Sequence, residues 1–160
     1  MMEKFTYFHK SESPFSQLYP ALFEVHDVQF ISAEQYMFYS KAMLFGDNEL
    51  AEQILRARLP SGQKALGCMV RSFDPKVWDQ HCKAIAYAGN YEKFIQNEDL
   101  LQVLLDTKGT TLVKAGRSDL IWGVGLAEDD PRIHNRSSWQ GHNLLGEILT
   151  QLREKLIHGD

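Results

Sequence analysis

Two cysteines, Cys68 and Cys82, are too few to staple a fold of 160 residues, and their spacing suits neither a zinc site nor a redox pair. A reduced, cytoplasmic setting is the default expectation, and neither cysteine lies in a signature that marks a nucleophile. Long apolar runs are also missing. Nothing approaches the roughly 18 residues of a membrane span, and the amino terminus lacks a signal-peptide core. There is no basic surplus either: net charge is −4 and the pI is near 5.9. That balance argues against tight non-specific binding of duplex nucleic acid, which needs a basic footprint, and leaves room for a focused site taking a phosphorylated small molecule. The histidines are scattered without metal-ligand spacing, and no glycine loop has P-loop or Rossmann spacing. No metal and no nucleotide-fold cofactor is expected.

What is present is ordinary for a globular chain, with 44% hydrophobic and 24% charged residues. The length fits one domain over residues 1–160, burying roughly 68–70% of the extended-chain surface. KFTYFH at 4–9 reads as a strand, and FEVHDVQFIS as a small hairpin turning at His26 and Asp27. Helices then dominate. Ser32 with Gln35 three positions on is a capping-box pattern. Asp47 can cap 48–58, Ser61 a shorter helix to about Arg71, and Asp74-Pro75 starts a long helix to about Gln96 that Gly89-Asn90 can interrupt. Asn97 can cap EDLLQVLLDT, ended by Gly109. TLVKA at 111–115 and SDLIWGVG at 118–125 both look like short strands, and AEDDPRIHNRSS like a polar surface loop. The final GHNLLGEILTQLREKLIHG is an amphipathic helix with Leu145, Ile148, Leu149, Leu152 and Leu156 inward. The fold class is α+β: a mainly helical single domain with a small β-sheet.

Three segments carry candidate chemistry. In SAEQYMFYSKAMLF, residues 32–45, the helix is apolar nearly all round, yet Glu34 and Lys41 fall within roughly 20° of one another on the wheel, beside Met37, Phe38 and Phe45. Charges on an apolar face are costly unless paired or facing a cavity. A partly desolvated lysine becomes a usable amine nucleophile, and a glutamate beside it can act as acid and base. A surface charge pair is the alternative. In SDLIWGVG, Trp122 flanked by Gly123 and Gly125, with Asp119 nearby, suits backbone brought close to a flat base, or a core tryptophan. In SSWQGHNLLG, Trp139, Gly141 and Asn143 lead into the last helix, whose free N–H groups suit phosphate. Asn143 can contact ligand or simply cap.

Together, SAEQYMFYSKAMLFGD, SDLIWGVG, WQGHNLLGEILTQLR and the F-S-x-x-Y-P near the start resemble the NADAR family, also called YbiA-like, in order and spacing over nearly the whole chain. The resemblance implies a compact, mainly helical α+β fold and an enzyme that cleaves N-glycosidic bonds. One branch is associated with phosphorylated ribosylamino-pyrimidine intermediates of riboflavin synthesis, another with removing ADP-ribose from guanine bases in nucleic acid. It implies Glu34, Lys41 and Asp119 as catalytic residues. It further implies Trp122, Gly123 and Asn143 as substrate contacts, with Trp139 and Gly141 joining them. Two positions depart from the family pattern. Lys114 stands where Glu is common, and Gln35 where His is frequent, which bears on substrate choice and admits an extra phosphate. The alternatives are a non-catalytic module binding ADP-ribose or a nucleotide sugar, and a helical interaction protein.

Overall fold

The computed structural model describes residues 2–159. Among these, six α-helices accompany two separate two-stranded ladders, the expected α+β class. No described helix is long and apolar enough to cross a membrane. The chain forms two compact units, one from residues 17–97 and one from residues 1–16 with 98–160.

The central unit opens with the hairpin, β1 (Phe23–Val25) against β2 (Val28–Phe30). His26 and Asp27 both take positive φ, 49° and 67°, as a tight two-residue hairpin turn requires. Helix α1 (Ala33–Leu44) follows, its Ser32 hydroxyl accepting from the Gln35 N–H as the capping pattern predicts. The return half of the box is absent. Gln35 Oε1 accepts from Ile31 N–H, and its amide donates to the Ile54 carbonyl at 3.2 Å. Gln35 is thus a buried tie between α1 and α2 (Asn48–Arg56).

Helix α3 (Pro60–Gly67) starts one residue before the expected Ser61 cap. Leu59 is the cap residue and Pro60, whose missing N–H costs nothing there, is its first residue. Helix α4 (Pro75–Ile95) runs uninterrupted through Gly89 and Asn90, contrary to expectation. Gly89 is where α4 meets α1: a Cβ there would lie 2.6 Å from the Tyr36 ring. Asn90 turns its amide to Ala86 O and Gln17 Oε1.

These contacts explain why α1 is apolar all round. It packs against α2, α3, α4 and the hairpin. On one side Tyr36 and Tyr39 meet the Phe30 ring edge-on at 5.1 and 5.3 Å. On the other, Phe38 is pressed against Gly67 of α3.

The second unit pairs the first strand, β3 (Phe5–Phe8), in parallel with β4 (Thr111–Lys114). Helix α5 (Glu98–Leu105) precedes β4, and α6 (Leu144–His158) packs on it, burying Leu145, Ile148, Leu149 and Leu152; Gly159 ends α6 at φ 74°. The expected strand at 118–125 does not form. That segment is irregular, and its carbonyls turn toward the start of α6. The polar loop after it holds two 3₁₀ turns, Pro131–His134 and Arg136–Ser138. Val113, Ala115, Val124, Leu126 and Ile133 form one core cluster, with Phe5, Tyr7 and Trp139 packed against it.

Candidate active site

Within the central unit, Glu34 sits in the first turn of α1 and Lys41 in its last, as their spacing requires. Glu34 is half-buried, and its backbone N–H donates to Gln17 O. Lys41 is half-buried as well, and its Nζ donates to the Gly67 carbonyl at 2.9 Å. The chain reaches this geometry through packing: because Gly67 has no side chain, the end of α3 settles on the Phe38 ring, and its last carbonyl arrives at the amine. A Cβ on Gly67 would stand 2.3 Å from that ring. Two further aromatic rings face the amine, Phe73 with its centroid at 4.5 Å and Trp78 at 5.7 Å. Burial holds the Lys41 ammonium below the ordinary lysine value, against an opposing pull from Cys68. A neutral amine, the reactive form, is therefore more accessible here than on a solvated lysine.

Phe73, Trp78 and the Gly67 carbonyl carry no signal in the sequence, since each is remote from Lys41 along the chain. Met37 and Phe38, which share the helix face of Glu34 and Lys41, are packed core residues: Phe38 touches Gly67, and Met37 Sδ accepts from the Gln17 amide at 3.5 Å.

In the second unit, Asp119 organises the 118–125 segment. Its Oδ1 accepts the N–H groups of Ile121 and Trp122, and its Oδ2 takes the Lys114 ammonium at 2.5 Å. Burial pushes this carboxyl upward, but Lys114 and the two N–H donors outweigh it and hold the group below the usual carboxylate value. Lys114, the departure from the family pattern, is thus the counter-ion of Asp119. The two side chains are 25% and 28% exposed, so the pair remains open to solvent and ligand.

The glycines and Asn143 have clear positions. A Cβ on Gly123 would stand 2.9 Å from Lys114 O, and one on Gly141 would stand 2.3 Å from Gly123 O. Both glycines allow backbone segments to touch. Trp122 is half-buried. Trp139 donates its indole N–H to Ile133 O, packs on Phe5 at 5.4 Å and carries the Arg136 guanidinium 4.7 Å from its ring centroid. All of its polar capacity is used.

Asn143 stands at the N-cap of α6 in the left-handed region, φ 51°, yet makes no side-chain cap bond, so the plain capping role does not hold. Fully buried, it instead accepts from Lys114 N–H at 2.9 Å and donates to Leu112 O at 3.0 Å. Thr150 adds a bond to Leu112 N–H, and the N–H of Val124 donates to Lys114 O. Asn143, Thr150 and the Val124 N–H thereby satisfy the β4 edge that a third strand would otherwise occupy.

One expectation is overturned by the same segment. The N–H groups of Asn143, Leu144 and Leu145 donate to the carbonyls of Gly123, Ile121 and Trp122. The first turn of α6 is already capped by backbone, so it is not the free N–H cradle that phosphate binding needs.

The NADAR domain matches the chain over residues 5–157, spanning parts of both units. The chain is 39% identical to Protein irg-1 of Caenorhabditis elegans, covering 95% of this chain and 79% of that one. It is 38% identical to an N-glycosidase of Acanthamoeba polyphaga mimivirus, with 96% of each chain covered. Among solved structures it is similar to the E. coli protein YbiA, determined by NMR. The TM-score is 0.79 and the identity 25%, with 99% of this chain and 88% of YbiA covered. On a match of this extent, together with the motifs around Glu34, Trp122 and Asn143, the chain belongs to the NADAR family.

Proposed function

We propose that this chain is an N-glycosidase, hydrolysing the bond between the anomeric carbon of a ribose and a nitrogenous base. The sugar is either a ribose phosphate or the terminal ribose of ADP-ribose. The observation that carries the reading is the Lys41 amine. It is half-buried, held by one carbonyl and two ring faces, and has a lowered proton affinity. A structural surface lysine has no need of such a seat. The name of the mimivirus relative points to the same bond.

In the proposed sequence Lys41 Nζ bonds to the anomeric carbon, while the carbon–nitrogen bond to the base breaks and its electron pair leaves with the base. Glu34 gives the departing nitrogen a proton. The amine–sugar adduct opens at the ring oxygen to a Schiff base, one amine proton passing to that oxygen. Water then adds to the same carbon, the amine leaves, and the proton released returns Glu34 to its protonated form, so that the net change is hydrolysis. Direct attack by water, with Lys41 as electrostatic support, is the second route through the same residues. In the second unit, Asp119, kept ionised by Lys114, is a carboxylate suited to stabilising positive charge rather than to donating a proton. Within the second unit, Trp122 is proposed, on the family pattern, as a ring able to stack on a flat base, with Gly123 and Gly141 shaping the backbone around it and Asn143 and Trp139 supporting that segment.

The experiment incubates the protein with a ribosylamino-pyrimidine phosphate and, separately, with an ADP-ribosylated guanine oligonucleotide, following base release by mass spectrometry. Lys41→Met and Glu34→Gln are run alongside. Release from one substrate, reduced at least about 100-fold in both variants, is expected for groups that act on the reacting atoms. Borohydride trapping of a sugar on Lys41 selects the covalent route. Wild-type turnover by Lys41→Met refutes the assignment, and binding of ADP-ribose without release from either substrate makes the chain a binding module.

A further inference from the structure

Phe73 lies in the loop joining α3 to α4 and is 41% exposed. The residue before it, Ser72, takes φ 62°, a left-handed conformation that residues with a side chain seldom adopt. This turn presents Phe73 to α1 rather than to solvent alone. Its ring meets Phe45 edge-on at 5.3 Å and stands 4.5 Å from Lys41 Nζ. Trp78, in the first turn of α4 and half-buried, stands 5.7 Å from the same nitrogen. The Gly67 carbonyl, at 2.9 Å, completes the seat. A large apolar side chain left substantially exposed, behind a strained turn and over a functional lysine, is poorly explained by packing alone.

We propose that Phe73 is the positioning residue of Lys41, its ring face, with Trp78 beside it, fixing the amine against the Gly67 carbonyl. The inference rests on the reading of Lys41 as the reacting amine. A lysine side chain has four rotatable carbon–carbon bonds and a freely turning head, so a single hydrogen bond leaves the nitrogen mobile. The carbonyl engages one N–H and the ring face attracts the cation from another direction. The remaining direction is left for the anomeric carbon once a proton is lost.

The ring acts on the amine in two opposing ways: it displaces water, which disfavours the cation, and its negative face attracts the cation. Substitutions that keep the bulk but change the ring separate them. Phe73→Leu keeps an apolar side chain beside the amine and removes the ring face, whereas Phe73→Trp strengthens it. Cys68, the titratable group felt at the amine, is replaced by Ser throughout; Glu34, on the same helix face, is left in place. Trace labelling with acetic anhydride across pH, quantified at Lys41 by peptide mass spectrometry, gives the midpoint of the amine.

The expected order of midpoints is Leu below Phe below Trp, in steps of about half a pH unit. A purely structural role does not produce that order. Coincident midpoints in three folded proteins, judged by circular dichroism, would overturn the proposal. The pH dependence of base release is measured on the same proteins. A rate limb that moves with the labelling midpoint supports Lys41 as the reacting amine. A limb that stays fixed while the midpoint moves removes Lys41 from the reaction and leaves the role of Phe73 standing.

Discussion

Replacing Asn143 by Ala tests whether a side chain can substitute for a strand. The parallel pair β3–β4 has only two strands, a size that is marginal by itself. Its outer edge is held by Asn143 through two bonds, to Lys114 N–H and Leu112 O. Alanine removes both and leaves the buried Leu112 carbonyl and the partly buried Lys114 N–H without these partners, at about 1–3 kcal/mol each. It also places a Cβ residue lacking the local bonding of asparagine at φ 51°, which adds roughly 1 kcal/mol. A loss of about 4 kcal/mol is expected, or roughly 8–16 °C in Tm for a chain of this size. Chemical denaturation gives the free energy and calorimetry the temperature. Asn143→Gly serves as the control, because glycine accepts the left-handed conformation but makes neither bond; it should recover only about the 1 kcal/mol of strain. Unfolding of Asn143→Ala within 1 kcal/mol of wild type would refute the edge-satisfaction argument. A stable variant that has lost turnover would instead make Asn143 a ligand contact.

Three other perturbations follow from the same structure. Gly67→Ala drives a Cβ into the Phe38 ring; denaturant unfolding should show a loss of about 1–3 kcal/mol, and displacement of the Gly67 carbonyl should free Lys41 and raise its labelling midpoint. Lys114→Met removes the counter-ion that keeps the Asp119 pKa low. In wild type the Asp119 contribution to stability is present above the ordinary carboxylate range and is lost as pH falls through the lowered pKa. In the variant that loss should begin at higher pH, and carboxyl NMR of Asp119 would check it. Lys93, fully buried in α4, is pushed by that burial to about 7. Above that value the folded state has released a proton that the unfolded lysine keeps until about 10.5, so this group makes stability rise with pH across the interval. Lys93→Met should flatten the rise between pH 7 and 9; an unchanged slope in denaturation measurements would contradict the assignment.

The local chemistry of the chain settled much of its architecture in advance. Ser32, Asp47 and Asp74-Pro75 start helices because a side-chain oxygen or a missing N–H answers a need arising within one turn. The turn at His26-Asp27 and the cap at Gly159 likewise depend on neighbouring residues alone. The period of α1 was enough to set Glu34 and Lys41 on one face. Where a residue's role depends on partners far away in sequence, that reading stopped. SDLIWGVG alternates like a strand, but its carbonyls cap α6 and its glycines admit backbone rather than a flat ligand. Gly89 looks like a helix breaker and is a contact with Tyr36. Only the tertiary structure could put the Gly67 carbonyl and the rings of Phe73 and Trp78 around Lys41, or set Lys114 on Asp119. Caps and turns are decided by bonds that close within a few residues. Desolvation, counter-ions and close backbone approach are decided by whichever distant segments the packing brings alongside, and no local pattern encodes those.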